Sequence, residues 1–428
     1  MALSQSRYNG MLLAGLLLFS ITLPLSKSAG NVLLFLGYIS VVAGMVYYQE
    51  FKASVLSGIR QPLTLAFSLY FLIALVGVFF TEKYADGFHV ANKFFSLPAI
   101  YLLVSVLIET VQDPEKRRRN AENIIYSFLA GLVILNGIGV MTYLGIFGHK
   151  KFILPLAPLN MHHIWFSNIN ALGMYAAASL LLFSRRGAST GGKRFLFIFF
   201  ILAVPCVFLS QSRTAWFGIA LTSLIMVFLM IRSKIIVACT VTAVAAACVV
   251  IYVFVPLVHE RINMITTDIT LFFSGTLESS LGNRFLMWKA AFMMFLSNPI
   301  AGVGTGDYVP TMIAYVKSGQ FPEFLLEFNQ PHNMYLFALA TNGLWGLAAL
   351  LYVFYQALLL ALPLIRGGQE ERLFGFIAVA TAIHFLAAGF TDSLFNIQVV
   401  RYSFVFIMAV CIRKSTISAR RDQLTGCG

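Results

Sequence analysis

Apolar positions fall in long blocks separated by short polar breaks. Twelve blocks stand out: Tyr8 to Ser26, Gly30 to Tyr48, Pro62 to Phe80, Phe94 to Val111, Ile124 to Phe147, Ile169 to Phe183, Phe195 to Ser210, Thr214 to Ile231, Ile235 to Val258, Tyr335 to Ile365, Leu373 to Phe390 and Val399 to Ile412. Each helical residue advances about 1.5 Å, so about 20 mainly apolar residues cross a hydrocarbon core about 30 Å thick. Backbone amides in lipid have no water to bond, so these blocks are expected to be helices, which satisfy those groups internally. The pattern predicts an all-α integral membrane protein with about twelve transmembrane helices.

Composition sharpens the reading. Of the 428 residues, 59% are hydrophobic and 11% charged, against about 45–50% apolar and about 25% charged in soluble domains. The remaining charge is unevenly spread. With a cytoplasmic amino terminus, the inner connections collect Arg7, the Lys116 to Arg119 run, Arg185-Arg186, Arg366, Arg372 and, in the tail, Arg413-Lys414 and Arg420-Arg421. The outer basic residues are spread more thinly, so both termini are expected to be cytoplasmic. The net charge of +13 then reports topology and an attraction to anionic membrane lipids, and no nucleic acid is needed as a partner. The basic start and first apolar block resemble a signal peptide, but no small-residue cleavage site follows, and the block reads as an uncleaved first helix. Cys206, Cys239, Cys248 and Cys411 lie in spans and Cys427 in the tail, which leaves no external disulfide or thiolate metal site.

One connection is long. Residues 259–334 form an external segment with apolar and aromatic patches but no uninterrupted span, and such loops in compact proteins are usually functional. The chain divides accordingly into spans 1–9 (residues 1–258), the loop (259–334), and spans 10–12 with the tail (335–428). Within the loop, Asn283 to Phe295 predicts a short helix lying in the membrane interface, capped by Asn283, with Trp288 and Phe292 turned toward the apolar phase. Asn298-Pro299 ends it, and Gly302, Gly304 and Gly306 permit turns closed to other residues.

Chemistry-bearing residues are few. Arg213, in Gln211-Ser212-Arg213-Thr214, and Arg284 both fall on the external side. A lone arginine at such a boundary is usually a snorkelling anchor, and Arg284 has an ion-pair reading with Glu278. Two guanidiniums on one side can instead grip a diphosphate through forked, charge-assisted hydrogen bonds. Pro331 suits a first helical turn, so His332 is expected at a helix amino terminus, where the dipole favours the neutral imidazole that can accept a proton. His162-His163 and His89 compete with it, although adjacent histidines usually diverge and make a poor metal site without a third ligand. His384 lies within a span and reads as a hydrogen-bonded core residue, while Glu109 and Arg401 lie near span ends. Asp392 emerges at the outer end of the eleventh span, able to orient His332 or hold an arginine. No external acidic cluster is suited to Mg²⁺ or Mn²⁺, so no metal or other cofactor is expected; if a carboxylate did hold one, Asp392 or Asp307 would be the candidate.

The run Arg284, Trp288, Asn298-Pro299, Gly302-Val303-Gly304-Thr305-Gly306, His332-Asn333-Met334-Tyr335-Leu336 and Asn342-Gly343-Leu344-Trp345-Gly346 resembles the O-antigen ligase and polymerase superfamily. Gln211-Ser212-Arg213-Thr214-Ala215 resembles its second hallmark. By motif the likeness covers the last half of the chain, with the His-Asn block the specific part. The resemblance implies a GT-C-like glycosyltransferase of the Gram-negative cell inner membrane whose large periplasmic loop carries short interfacial helices and a site facing the periplasm. It implies transfer of O-antigen polysaccharide from undecaprenyl diphosphate to a lipid A-core sugar, with inversion and without metal, in lipopolysaccharide biosynthesis. On this likeness Arg213 and Arg284 bind the diphosphate, His332 activates the acceptor hydroxyl and Asp392 supports it. Asn333, Gly302, Gly304, Gly306 and Trp288 shape the surrounding motif. An O-antigen polymerase and a protein O-oligosaccharyltransferase share the donor and motifs, but the single long loop favours the ligase. A lipid-linked oligosaccharide flippase ranks third, since a transporter would carry more charge within its spans.

Overall fold

A computed structural model describes residues 5–146, 152–274 and 280–412. The described residues form helices and connections and contain no strand. In chain order the helices are α1 (Gln5–Thr22), α2 (Lys27–Tyr47), α3 (Gln49–Ile59), α4 (Pro62–Val76), α5 (Tyr84–Glu109), α6 (Pro114–Tyr143), α7 (His163–Phe183), α8 (Arg185–Ala188), α9 (Thr190–Leu209), α10 (Arg213–Met230), α11 (Lys234–Phe254), α12 (Pro256–Phe273), α13 (Ser280–Ser297), α14 (Tyr308–Lys317), α15 (Met334–Ala361), α16 (Gln369–Ala388) and α17 (Gln398–Cys411). Among the described residues, 10 helices are long and apolar enough to cross a membrane. The protein is an all-α integral membrane protein.

Of the other two expected spans, α1 is helical over 18 residues but opens on the polar run Gln5 to Gly10, and α17 is shorter. At 14 residues, α17 is about 21 Å long, less than the hydrocarbon thickness. Its side chains from Val399 to Cys411 are almost all buried, so it behaves as a core helix held by its neighbours α5, α16 and α7. That burial includes Arg401, which donates from Nε to Ser96 Oγ at 2.8 Å and from Nη1 to the Phe395 carbonyl. The expected ninth span ends four residues early at Phe254, because Pro256 supplies the pre-set φ of a new helix start.

Helices α7 and α16 run antiparallel through the middle of the bundle. Ser179 Oγ donates to the Leu373 carbonyl at 2.7 Å near one end, and His384 Nε2 meets Asn168 Oδ1 at 2.9 Å near the other. His384 is fully buried, and its Nδ1 faces the Tyr175 hydroxyl at 3.0 Å, so it is the core residue the sequence suggested. Charge gathers at the end bearing Ser184. There Ser184 Oγ donates to Glu122 Oε2 at 2.9 Å, Arg118 approaches Glu370 at 3.9 Å, and Arg117 pairs with Glu109 at 3.3 Å. His163, the end of α16 and the start of α15 lie at the opposite end.

The glycine-rich turn belongs to the architecture of α15. That helix breaks at Gly343 (φ 61°, ψ −154°), and a broken helix in a membrane bundle is tolerated only when its freed backbone groups find partners. The preceding turn supplies them. Val303 N donates to the Ala340 carbonyl at 2.9 Å, Gly304 N to that of Thr341 at 3.2 Å, and Leu344 N to that of Pro299 at 2.9 Å. Gly302 and Gly304 have φ of +70° and +115°, and a Cβ on Gly302 would sit 2.5 Å from the Thr341 carbonyl carbon. Gly306 serves by close approach, since its Cβ would meet Gly87 N at 2.6 Å. Beyond the turn, Thr305 Oγ1 donates to the Ala74 carbonyl at 2.6 Å and accepts from Asn342 Nδ2 at 2.8 Å. The turn thus clips the break in α15 to the end of α4.

The long loop is more helical than its sequence suggested, with α12 and α14 added to the expected helix. That expected helix, α13, begins at Ser280, so Asn283 is its fourth residue and does not cap it. Met287, Ala290, Ala291 and Met294 bury its inner face, against α15.

Candidate active site

The loop ending at Pro331-His332-Asn333 is fastened at three points. Asn333, extended at φ −155°, caps α15 by accepting from Tyr335 N and Leu336 N, both at 3.0 Å, and its Nδ2 donates to the Phe390 carbonyl at 3.1 Å. Met334 N donates to the Gly389 carbonyl at 2.7 Å. The start of α15 is thereby tied to the end of α16, which brings up Asp392. Because α15 begins at Met334, Pro331 is outside the helix, and His332 lies one residue before the cap in the left-handed region at φ 47°. The expected first-turn position is therefore corrected. Asn333 is the better cap, and the turn at His332 leaves its ring between Asp392 and Phe328.

His332 Nδ1 lies 3.0 Å from Asp392 Oδ1. Asp392 is 1% exposed, and the same oxygen accepts from Ser393 N at 2.8 Å. A carboxylate receiving a backbone N–H there is an acceptor, so the imidazole donates from Nδ1 and its lone pair is on Nε2. This is the orienting arrangement that suits a general base. Trp288 supports the same loop, since its Nε1 donates to the Pro331 carbonyl at 3.0 Å. It is half-buried and turned into the site, whereas Phe292 is exposed. Replacing Trp288 by Phe keeps an aromatic ring and removes one hydrogen bond, which contributes about 0.5–1.5 kcal/mol. Turnover should fall severalfold with donor KM unchanged; an unaltered kcat would reduce Trp288 to packing.

The arginines meet an unforeseen carboxylate. Ser212 caps α10 by accepting from Ala215 N at 3.3 Å, which puts Arg213 in the first turn. Its Nη1 lies 3.1 Å from Asp268 Oδ2 on α12. Arg284, half-buried on α13, belongs to the same neighbourhood. Burial pushes its guanidinium below the ordinary arginine value, Asp392 opposes that fall, Arg213 adds to it and Asp268 opposes it. Arg261, seven residues before Asp268 on α12, is likewise lowered by burial first and then by Arg213, with Asp268 opposing. The sequence reading missed Arg261 and Asp268, although their spacing puts both on one helix face. Glu278, the partner weighed for Arg284, lies outside the described residues.

The paired histidines also join this end. Their ring centroids are 4.5 Å apart at 35°, so they lie together and do not diverge. His163 Nδ1 bonds the Ser210 carbonyl at 2.8 Å, and His162 Nδ1 accepts from Ile164 N at 3.3 Å. Burial pushes the His162 imidazole below its ordinary value; Asp392 opposes the fall and His332 adds to it. His89 is exposed on α5. Asp307 accepts from Glu82 N at 2.8 Å in a separate spot beside the glycine turn, and burial pushes its carboxyl upward. Among the described residues no group of three or more His, Cys, Asp or Glu side chains is gathered for a metal ion.

Residues 198–351 match the family model described as O-antigen ligase. The match supports a place in the O-antigen ligase/polymerase superfamily. The matched stretch runs from α9 into α15 and contains Arg213, Arg261, Asp268, Arg284 and His332, while Asp392 comes from beyond it. An uncharacterized protein of Haemophilus influenzae (strain ATCC 51907 / DSM 11121 / KW20 / Rd) is 26% identical over 321 residues, covering 72% of this chain and 75% of that protein. At that level the match supports a membrane enzyme of the O-antigen ligase and polymerase type, a family associated with lipid-linked polysaccharides.

Proposed function

We propose that this protein is an O-antigen ligase, which transfers polysaccharide from undecaprenyl diphosphate to a hydroxyl of a lipid A-core sugar at the periplasmic face of the inner membrane. The observation that carries the reading is the His332–Asp392 pair at 3.0 Å in one neighbourhood with Arg213 and Arg284. His332 Nε2 takes the proton of the acceptor hydroxyl as its oxygen attacks the anomeric carbon. The bond from that carbon to the diphosphate oxygen breaks, and undecaprenyl diphosphate leaves with the electron pair, so the configuration inverts. A diphosphate leaving group needs charge stabilisation more than an acid, which suits guanidiniums aimed at the developing charge. The basic connections at the opposite end of the bundle support a cytoplasmic assignment for that end and for both termini.

Purified protein supplied with lipid-linked polysaccharide and lipid A-core, in excess EDTA, should place polymer on the acceptor at an undiminished rate. Growth of the lipid-linked chain with none on lipid A-core would identify a polymerase. Strict recovery by Mg²⁺ or Mn²⁺ would make a carboxylate such as Asp392 or Asp307 a metal ligand.

A further inference from the structure

We infer that Asp268 is a placeholder: its carboxylate occupies Arg213 in the resting protein and leaves when a diphosphate binds, releasing α12. The inference rests on the diphosphate reading of Arg213. Three arginines, Arg213, Arg261 and Arg284, share this neighbourhood, and among the described residues Asp268 is the carboxylate in direct contact with one of them, through a single Nη1–Oδ2 approach of 3.1 Å. The pair is incomplete. Arg213 Nε and Arg261 Nε are both shut off from solvent without a hydrogen-bond partner. An arginine fork uses Nε together with a terminal nitrogen on a planar oxyanion, and the resting contact engages one nitrogen only. A diphosphate offers more oxygens and more charge than one carboxylate, and a guanidinium freed from Asp268 can turn its Nε toward them.

Helix α12 is built to let go. Of its described side chains only Val258 is buried, and most of the others are exposed. It packs mainly along α11 and α13. Among the described residues, its side-chain ties to other helices besides the Asp268 contact include Tyr252 of α11, whose hydroxyl donates to Asn263 Oδ1 at 3.0 Å and whose ring stacks on His259 with centroids 4.7 Å apart. With so little buried surface each such side-chain contact weighs in holding the helix, and exchanging Asp268 for a ligand removes one of them.

The test uses the full chain in detergent with inorganic pyrophosphate as probe. Asp268→Asn removes the competing charge without changing shape, and the Kd should fall roughly fivefold, the scale of a partly exposed ion pair. In the wild type, saturating pyrophosphate should raise amide hydrogen exchange across residues 256–273. Unchanged or weaker binding by Asp268→Asn means that Asp268 positions Arg213, and overturns the proposal. Exchange in α12 that stays level or slows also overturns it. Should Arg213→Ala and Arg284→Ala bind pyrophosphate as the wild type does, the diphosphate reading itself fails, separately from the role of Asp268.

Discussion

His332→Ala should lower transfer by about two decades or more, the usual scale for removing a general base, with protein level and donor binding little changed. Its ring reaches Asp392 at 3.0 Å and packs edge-on to Phe328 with centroids 5.9 Å apart, so removal leaves the folds of α15 and α16 to their own contacts. Asp392→Asn is the sharper companion. An amide donates as well as accepts, and the new side-chain amide, turned to donate toward Nδ1, would hold the proton on Nε2, the wrong tautomer for a base. Both variants should therefore depress kcat more than KM, measured as polymer placed on lipid A-core by purified protein. His332→Ala protein working near the wild-type rate would remove the base from the mechanism. His162→Ala and His163→Ala should be much milder on sequence grounds. Their position beside the site makes that comparison informative, because a loss equal to that of His332→Ala would shift the base to the pair.

Lysine in place of Arg213 or Arg284 should cost about one to two decades in rate, on the order of 2–3 kcal/mol, although charge is kept. The loss comes from geometry. A lysine ammonium is a point charge on a flexible stem, and it cannot present two parallel N–H donors to a diphosphate. The burial that lowers the Arg284 guanidinium makes the exchange harsher there, since an ammonium is more strongly hydrated and loses more on leaving water. Snorkelling anchors at a membrane boundary would accept lysine. Full activity of both lysine variants with lipid-linked donor would sink the diphosphate clamp.

The fold class and most helices were legible in the sequence because the membrane imposes one strong constraint. Blocks of about 20 apolar residues can satisfy their backbone in lipid only as helices, and the ten long helices fall on ten of the predicted blocks. Arg213, Arg284 and His332 stood out as candidates in the same way, as polar exceptions in motifs between such blocks. Local signals failed where two segments distant in the chain decide the outcome. Gly343 looked like part of one continuous span, yet α15 breaks there because residues 299–304 supply its missing hydrogen bonds. Pro331 looked like a helix start, but Asn333 with its side chain on two amides and the Phe390 carbonyl moved the start to Met334. The sequence by itself determined a helical membrane protein with few cations between its apolar blocks and a His-Asn block that resembles the matched family. Only the tertiary structure decided that Asp392 meets His332, that Asp268 holds Arg213, and that Arg261 and the His162-His163 pair stand beside them. The reason is physical. Hydropathy acts residue by residue along the chain, whereas a site is made of groups whose charges interact across 50 residues or more of intervening sequence, and their pairing exists only once the helices have packed.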